Sequence, residues 1–299
     1  MEQPLVSILI PVTGNTTYLE LALTSVLLQT YTNIEIIIMD PTPTNQIQML
    51  LEKEFLPYSD KILYMKDNNY MSRLEMLNEL LRISKGSYIN FLMEKDLFYP
   101  TKIEKMMDYF SKDATNSIKL ITSNVEFIDM HGNLLKNNEY AENKREIDLL
   151  LNSTISSNLI LKHLSSIWGL STPLFRKKDL IQPFGFFSDH QFIKEIELAS
   201  WLSLVSQGSC MLIAEELTFE RKNIGYKINM ELITDWINLI KLTQQNSCSI
   251  IQSTKWILIK KISKWIEYLL MNKQGILTLS EREKIYSYKE YLYVLQTNN

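Results

Sequence analysis

The chain has 299 residues, 45% of them hydrophobic and 22% charged, enough apolar content to bury a large core. Its formal charge of -3 gives no general electrostatic footprint for nucleic acid, so any anion site has to be local. Two cysteines, Cys210 and Cys248, are too few for a disulfide framework, and neither lies in a CxxC pair of the zinc or redox kind.

The N-terminal "MEQPLVSILIPV" has no basic leader, so its apolar run reads as a first strand, and a cytoplasmic location is expected. No stretch reaches the roughly 18 uninterrupted apolar residues of a membrane span. After the strand over 5–12 comes "TGNTT", then apolar residues at helical spacing. "NIEIIIMD" (33–40) is apolar almost throughout, as in a parallel strand covered on both faces, and "PTPT" breaks the chain after it. A helix is expected over 45–55, a strand at "KILYMK", a helix at "SRLEMLNELLRIS" ended by Gly86, and a strand at "SYINFLM". The rhythm βαβαβαβ predicts an α/β fold with a mostly parallel sheet. Ligands in such sheets sit at the carboxyl ends of the strands, so the loops after Pro11, Asp40 and Met93 should converge.

A helix over 101–110 and a strand at "KLITSNVEFID" follow, and Gly132 with Asn133 suits a hairpin turn. A later helix is expected to stop at Gly208 before another strand. From about Gly225 the pattern is helical, and residues 226–299 carry ten Lys/Arg against six Asp/Glu. Two units are therefore expected: 1–225 and a helical extension, 226–299. In the extension, Trp256, Ile259, Ile262, Ile266 and Leu269 recur at helical spacing, with Lys255, Lys260, Lys261 and Lys264 elsewhere on the helix. Such a helix can complete a core, form a homo-oligomer or make a peripheral membrane contact. Tyr286, Tyr288, Tyr291 and Tyr293 could bury against the main domain or form a dimer seam. His131, His163 and His190 show no metal-ligand spacing.

The stretch "VSILIPVTGNTTYLELALTSVLLQTYTNIEIIIMD", then "SKGSYINFL", "EKDLFYPTKIEKMMDYF", "STPLFRKKDL", "WLSLVSQG" and "EELTFER", resembles family 2 glycosyltransferases of the GT-A fold over about 5–225. The resemblance implies inverting transfer from a nucleotide-sugar donor, UDP-linked, to a glycan, lipid-linked or protein acceptor. It places Pro11, Thr13, Asp40, Glu94, Lys95, Asp96 and Arg221 at the nucleotide-sugar site. Asp40 would accept from the uracil N3–H; the lesser alternative is a carboxylate that caps the loop after a buried strand. Pro41 replaces the family's second acidic residue, and Thr13 stands where an aromatic is usual.

"FLMEKDLFYP" (91–100) aligns with the family's DXD motif, which holds Mg²⁺ or Mn²⁺. Met93 takes the first Asp position, Glu94 the middle one and Lys95 the metal-ligating one, with Asp96 a residue later. An ammonium there removes an oxygen ligand and repels the cation. Three explanations stay open. Lys95 replaces the metal's charge, the metal moves to Glu94 or Asp96, or nucleotide binding is lost. The family's catalytic base maps to Glu197, with Glu195 and Asp189 as fallbacks, and its late His position is Asn223. The changes at Pro41, Met93, Lys95 and Asn223 motivate a competing reading, a non-catalytic scaffold or partner subunit. A sugar-nucleotide hydrolase or nucleotidyltransferase on a similar sheet is a third.

Overall fold

A computed structural model describes residues 3–67, 71–135, 145–162, 168–222, 228–245, 250–272 and 277–297. His163, Cys248, Asn223 and the division near 225 lie outside the described residues.

The first half alternates as the sequence predicts: β1 (Val6–Pro11), α1 (Thr16–Leu27), β2 (Ile34–Asp40), α2 (Gln46–Glu54), β3 (Ile62–Lys66), α3 (Arg73–Ile83) and β4 (Tyr88–Phe91). Asn15 caps α1 by accepting from the Tyr18 N–H at 3.0 Å, and Ser72 with Glu75 forms a reciprocal capping box on α3. Then come β5 (Leu97–Phe98), α4 (Lys102–Lys112), β6 (Ile118–Ile128), β7 (Leu149–Leu151) and α5 (Ser153–Lys162). Next are β8 (Leu174–Arg176), β9 (Phe186–Phe187), β10 (His190–Gln191), α6 (Ile196–Val205) and β11 (Ser209–Arg221). Three helices close the chain: α7 (Met230–Gln245), α8 (Gln252–Asn272) and α9 (Leu279–Thr297).

The main sheet runs β3-β2-β1-β4-β8-β6-β11-β5, with β7 also on β11; β9 and β10 form a separate hairpin. β1 pairs in parallel with β2 and β4, β2 with β3, and β6 with β11, while β8 lies antiparallel between β4 and β6. Alternate residues of β1 and β2 feed two cores: Leu9, Ile37 and Met39 face one, and Ile8, Ile10, Ile36 and Ile38 the other. Trp236, Ile262 and Ile285 of the C-terminal helices belong to the first of these cores. Their apolar stripe therefore completes the core of the sheet.

Four details differ from the sequence reading. Trp256 is 42% exposed, and Leu258 takes its place among the buried residues of α8. Tyr288 is buried while Tyr286 and Tyr293 are exposed, so the tyrosines do not act together. α3 ends at Ile83, and Gly86 instead lets β1 approach, since a Cβ there would lie 2.4 Å from Ser7 Oγ. α6 ends at Val205, and Gly208 makes room for the Ser117 carbonyl, which a Cβ would meet at 2.4 Å.

Candidate active site

The carboxyl ends of β1, β2 and β4 do converge. Glu94, after β4, reaches the loop after β1: its Oε2 accepts from the N–H of Thr13 at 2.8 Å and of Gly14 at 3.2 Å, and its Oε1 accepts from the Thr13 hydroxyl. Both oxygens are thus turned into the protein, and Glu94 is buried. Pro11 pairs with Met39 in the ladder and is itself buried.

Asp40 ends β2 and is fully buried. Its Oδ1 accepts from the Thr42 N–H at 2.9 Å, and its Oδ2 from the Tyr64 hydroxyl at 2.8 Å and the Lys66 ammonium at 3.0 Å. Burial alone would raise its pKa, but the bonds from Thr42, Tyr64 and Lys66 outweigh it and hold the carboxyl below the usual range. Asp40 caps the loop after β2. A base that used this carboxylate would have to reach a side chain with no exposed surface.

The loop after β4 is held from β11. The Lys95 ammonium donates to the Arg221 carbonyl at 3.1 Å, and Arg221 Nε donates to the Lys95 carbonyl at 3.1 Å. Arg221 Nη1 also donates to the Asp129 carbonyl at 2.6 Å, and its guanidinium lies 4.5 Å from the centre of the Tyr18 ring. Asp96 is buried, accepting from the Arg221 N–H at 3.1 Å and the Ser171 hydroxyl at 2.6 Å. Burial, with the charge of Glu220, pushes its carboxyl up to about 6, against the opposing pull of Lys95. Beneath it lies Lys102 on the buried face of α4, a residue the sequence reading missed. Its ammonium is fully buried and donates to the carbonyls of Ser171 at 2.6 Å and Thr172 at 2.9 Å and to Thr218 Oγ1 at 2.7 Å. Burial pushes its pKa well below the ordinary lysine value, with the charge of Asp96 acting the other way. A lysine among Ile103, Met106, Met107 and Phe110 on one helix face was the available signal.

The acidic residues around α6 separate. Glu197, in its first turn, forms an ion pair with Arg73 in the first turn of α3. Glu195 Oε1 accepts from Trp236 Nε1 at 2.9 Å. Asp189 sits at the β9–β10 turn with φ 59° and accepts from Gln182 Nε2 at 3.0 Å. The turn into α6 is anchored from α7. Buried Asp235 accepts through one oxygen from the N–H groups of Ile193, Lys194 and Glu195 at 3.0, 2.7 and 3.1 Å.

A divalent cation does not fit these residues. Hard cations need several oxygen ligands, whereas the carboxylates of Glu94 and Asp96 are committed to N–H and O–H donors and an ammonium stands between them in sequence. Among the described residues no group of three or more His, Cys, Asp or Glu side chains is arranged to hold a metal ion.

The family model for Glycosyl transferase family 2 matches residues 7–158, half of the chain. The chain belongs to glycosyl transferase family 2. This family 2 chain is 34% identical over 165 residues to an uncharacterized glycosyltransferase of Rickettsia typhi, covering 53% of this chain and 50% of that one. It is 29% identical over 134 residues to the chondroitin synthase of Escherichia coli, covering 45% and 19%. The matches thus span half or less of these relatives' length. Among solved structures, S. aureus TarS 1-349 in complex with UDP-GlcNAc superposes with TM-score 0.63 at 14% identity, covering 93% of this chain and 77% of that one. The Pyrobaculum calidifontis mannosyltransferase PcManGT, in complex with GDP-Man and Mn²⁺, gives 0.56 at 9%, covering 97% and 81%. These likenesses carry the GT-A fold, here extended by C-terminal helices. No helix among the described residues is long and apolar enough to cross a membrane.

Proposed function

We propose that this family 2 chain is a glycosyltransferase that moves a sugar from a UDP-linked donor to a hydroxyl acceptor with inversion, without a divalent cation at the DXD position. In this reading Glu197 takes the acceptor proton as the acceptor oxygen bonds the sugar carbon. The bond from that carbon to the diphosphate oxygen breaks, and the diphosphate leaves with the electron pair. The Lys95 ammonium stabilises that developing charge electrostatically. Asp40 acts on the base side, through the Thr42 loop that it holds. Family membership and the nucleotide-sugar complexes of the two structural neighbours support the donor class.

The observation that carries the metal-independent reading is the state of the 94–96 loop: both carboxylates are engaged inward, and the side chain at the ligating position is an ammonium. Calorimetric titration with UDP and a panel of UDP-sugars, in EDTA and in Mn²⁺, tests it. Equal affinity in both buffers supports the proposal; affinity only in Mn²⁺ contradicts it. One observation favours the alternative, a non-catalytic scaffold: Asp40 is fully buried with both oxygens engaged. That alternative predicts no nucleotide binding in either buffer.

A further inference from the structure

The opposite end of the parallel strands carries a cavity of about 630 Å³, at the amino ends of β1 and β4, lined among others by Lys85, Tyr88, Asn116, Arg176, Lys177 and Lys178. The length of β1 separates the two ends by about 20 Å at 3.3 Å per strand residue. The lining contains four basic side chains and no carboxylate. Arg176 is balanced, with Asp113 at 3.0 Å and Asp179 at 3.6 Å. The other three differ. Among the described residues no carboxylate lies within 4 Å of the ammonium of Lys85, Lys177 or Lys178.

The acid that acts on Lys177 is Glu35, whose Oε1 is taken by the N–H groups of Lys85 at 2.6 Å and Gly86 at 2.9 Å. Lys177 itself is tied to the Ser84 carbonyl at 2.6 Å, which fixes one ammonium at the cavity, and burial lowers its pKa. Glu35 keeps its charge while its Oε1 accepts from neutral N–H groups, so three ammoniums and one carboxylate behind the wall leave a local positive excess around one hollow of a chain whose net charge is -3. The hollow is of ligand size. Tyr88, half-buried in the wall, offers a ring face, and Asn116 an exposed amide.

We propose that this cavity is a second anion site that binds phosphoryl groups, distinct from the donor cleft and independent of the transfer reaction proposed above. The 299-residue chain is titrated calorimetrically with inorganic pyrophosphate, with linear polyphosphate and, separately, with UDP. The test variant is Lys85→Gln/Lys178→Gln, two exposed side chains; the control is Lys260→Gln/Lys264→Gln, the same charge change on α8. The expected result is binding that weakens at least ten-fold in the test variant, is unchanged in the control, and leaves UDP affinity unaltered. Preference for polyphosphate would identify a polymeric ligand, and equal affinity a free phosphate; either supports the site. No binding of either anion, equal affinity in the test variant, or an equal loss in the control would overturn it.

Discussion

Lys95 and Arg221 hold each other by exchange: each side chain donates to the other's backbone carbonyl at 3.1 Å. The Arg221 N–H meanwhile bonds Asp96, so one residue of β11 fixes both halves of the motif loop. Lys95 is thereby kept beside a buried carboxyl whose pKa burial raises. A loop organised around a metal would place its carboxylates the other way, outward.

Asp40 should matter first to stability. Asp40→Ala leaves the Lys66 ammonium, only 16% exposed, without its counter-charge and the Tyr64 hydroxyl without its acceptor. Urea denaturation should show a loss of about 3 kcal/mol, typical of breaking a buried pair. A loss below about 1 kcal/mol would show that the bonds around Asp40 are weak in solution.

The pH dependence of stability should be two-sided. Burial raises and the bonds from Arg176, Ile118 and Ser117 lower the Asp113 pKa, with a net value of about 2 against 3.8 unfolded; Asp40 shifts in the same direction. Their stabilisation is complete above roughly pH 4 and is lost as pH falls through the folded values. Asp96 is shifted up, to about 6, so its ionisation opposes folding and stability rises as pH drops from above 6 toward 4. Thermal midpoints should peak between roughly pH 4 and 6. Asp96→Asn should flatten the upper limb and Asp113→Asn the lower; unchanged limbs in either variant would refute the assignment.

Asp235 should couple the C-terminal helices to chemistry. Asp235→Ala leaves three N–H groups at the entry to α6 without their acceptor, expected to cost about 2 to 4 kcal/mol of stability. Because that turn carries Glu197, kcat should fall while UDP affinity stays. Parallel loss of both would mean that the extension supports the whole cleft.

Glu197→Gln should lower transfer by roughly 10²- to 10⁴-fold, the range for a general base, with donor affinity unchanged. Activity within about ten-fold of the native protein would move the role of base elsewhere.

Much of this was legible in the sequence because burial on both faces writes itself as apolar runs. β1, β2 and β4 were read for that reason. β5, β7, β8, β9 and β10 have two or three residues each, too few for any period to show. The side-chain partnerships were hidden by distance along the chain. Arg73 meets Glu197 across 124 residues, and Lys102 collects its acceptors from 69, 70 and 116 residues away. Asp40 was picked out as a carboxylate at a strand end, but its engagement follows from the register that sets it beside Lys66 on β3.

The central claim is that the Lys95 ammonium does the work of a metal cation at the diphosphate. It is tested by UDP release from a panel of UDP-sugars in EDTA and in Mn²⁺, for the native protein, Lys95→Ala and Lys95→Asp. The native protein should keep its activity in EDTA, and Lys95→Ala should lose roughly 10²- to 10³-fold in either buffer, as for removal of a single electrostatic group. Lys95→Asp should be active only with Mn²⁺. Native activity that collapses in EDTA and returns with Mn²⁺ would contradict the account.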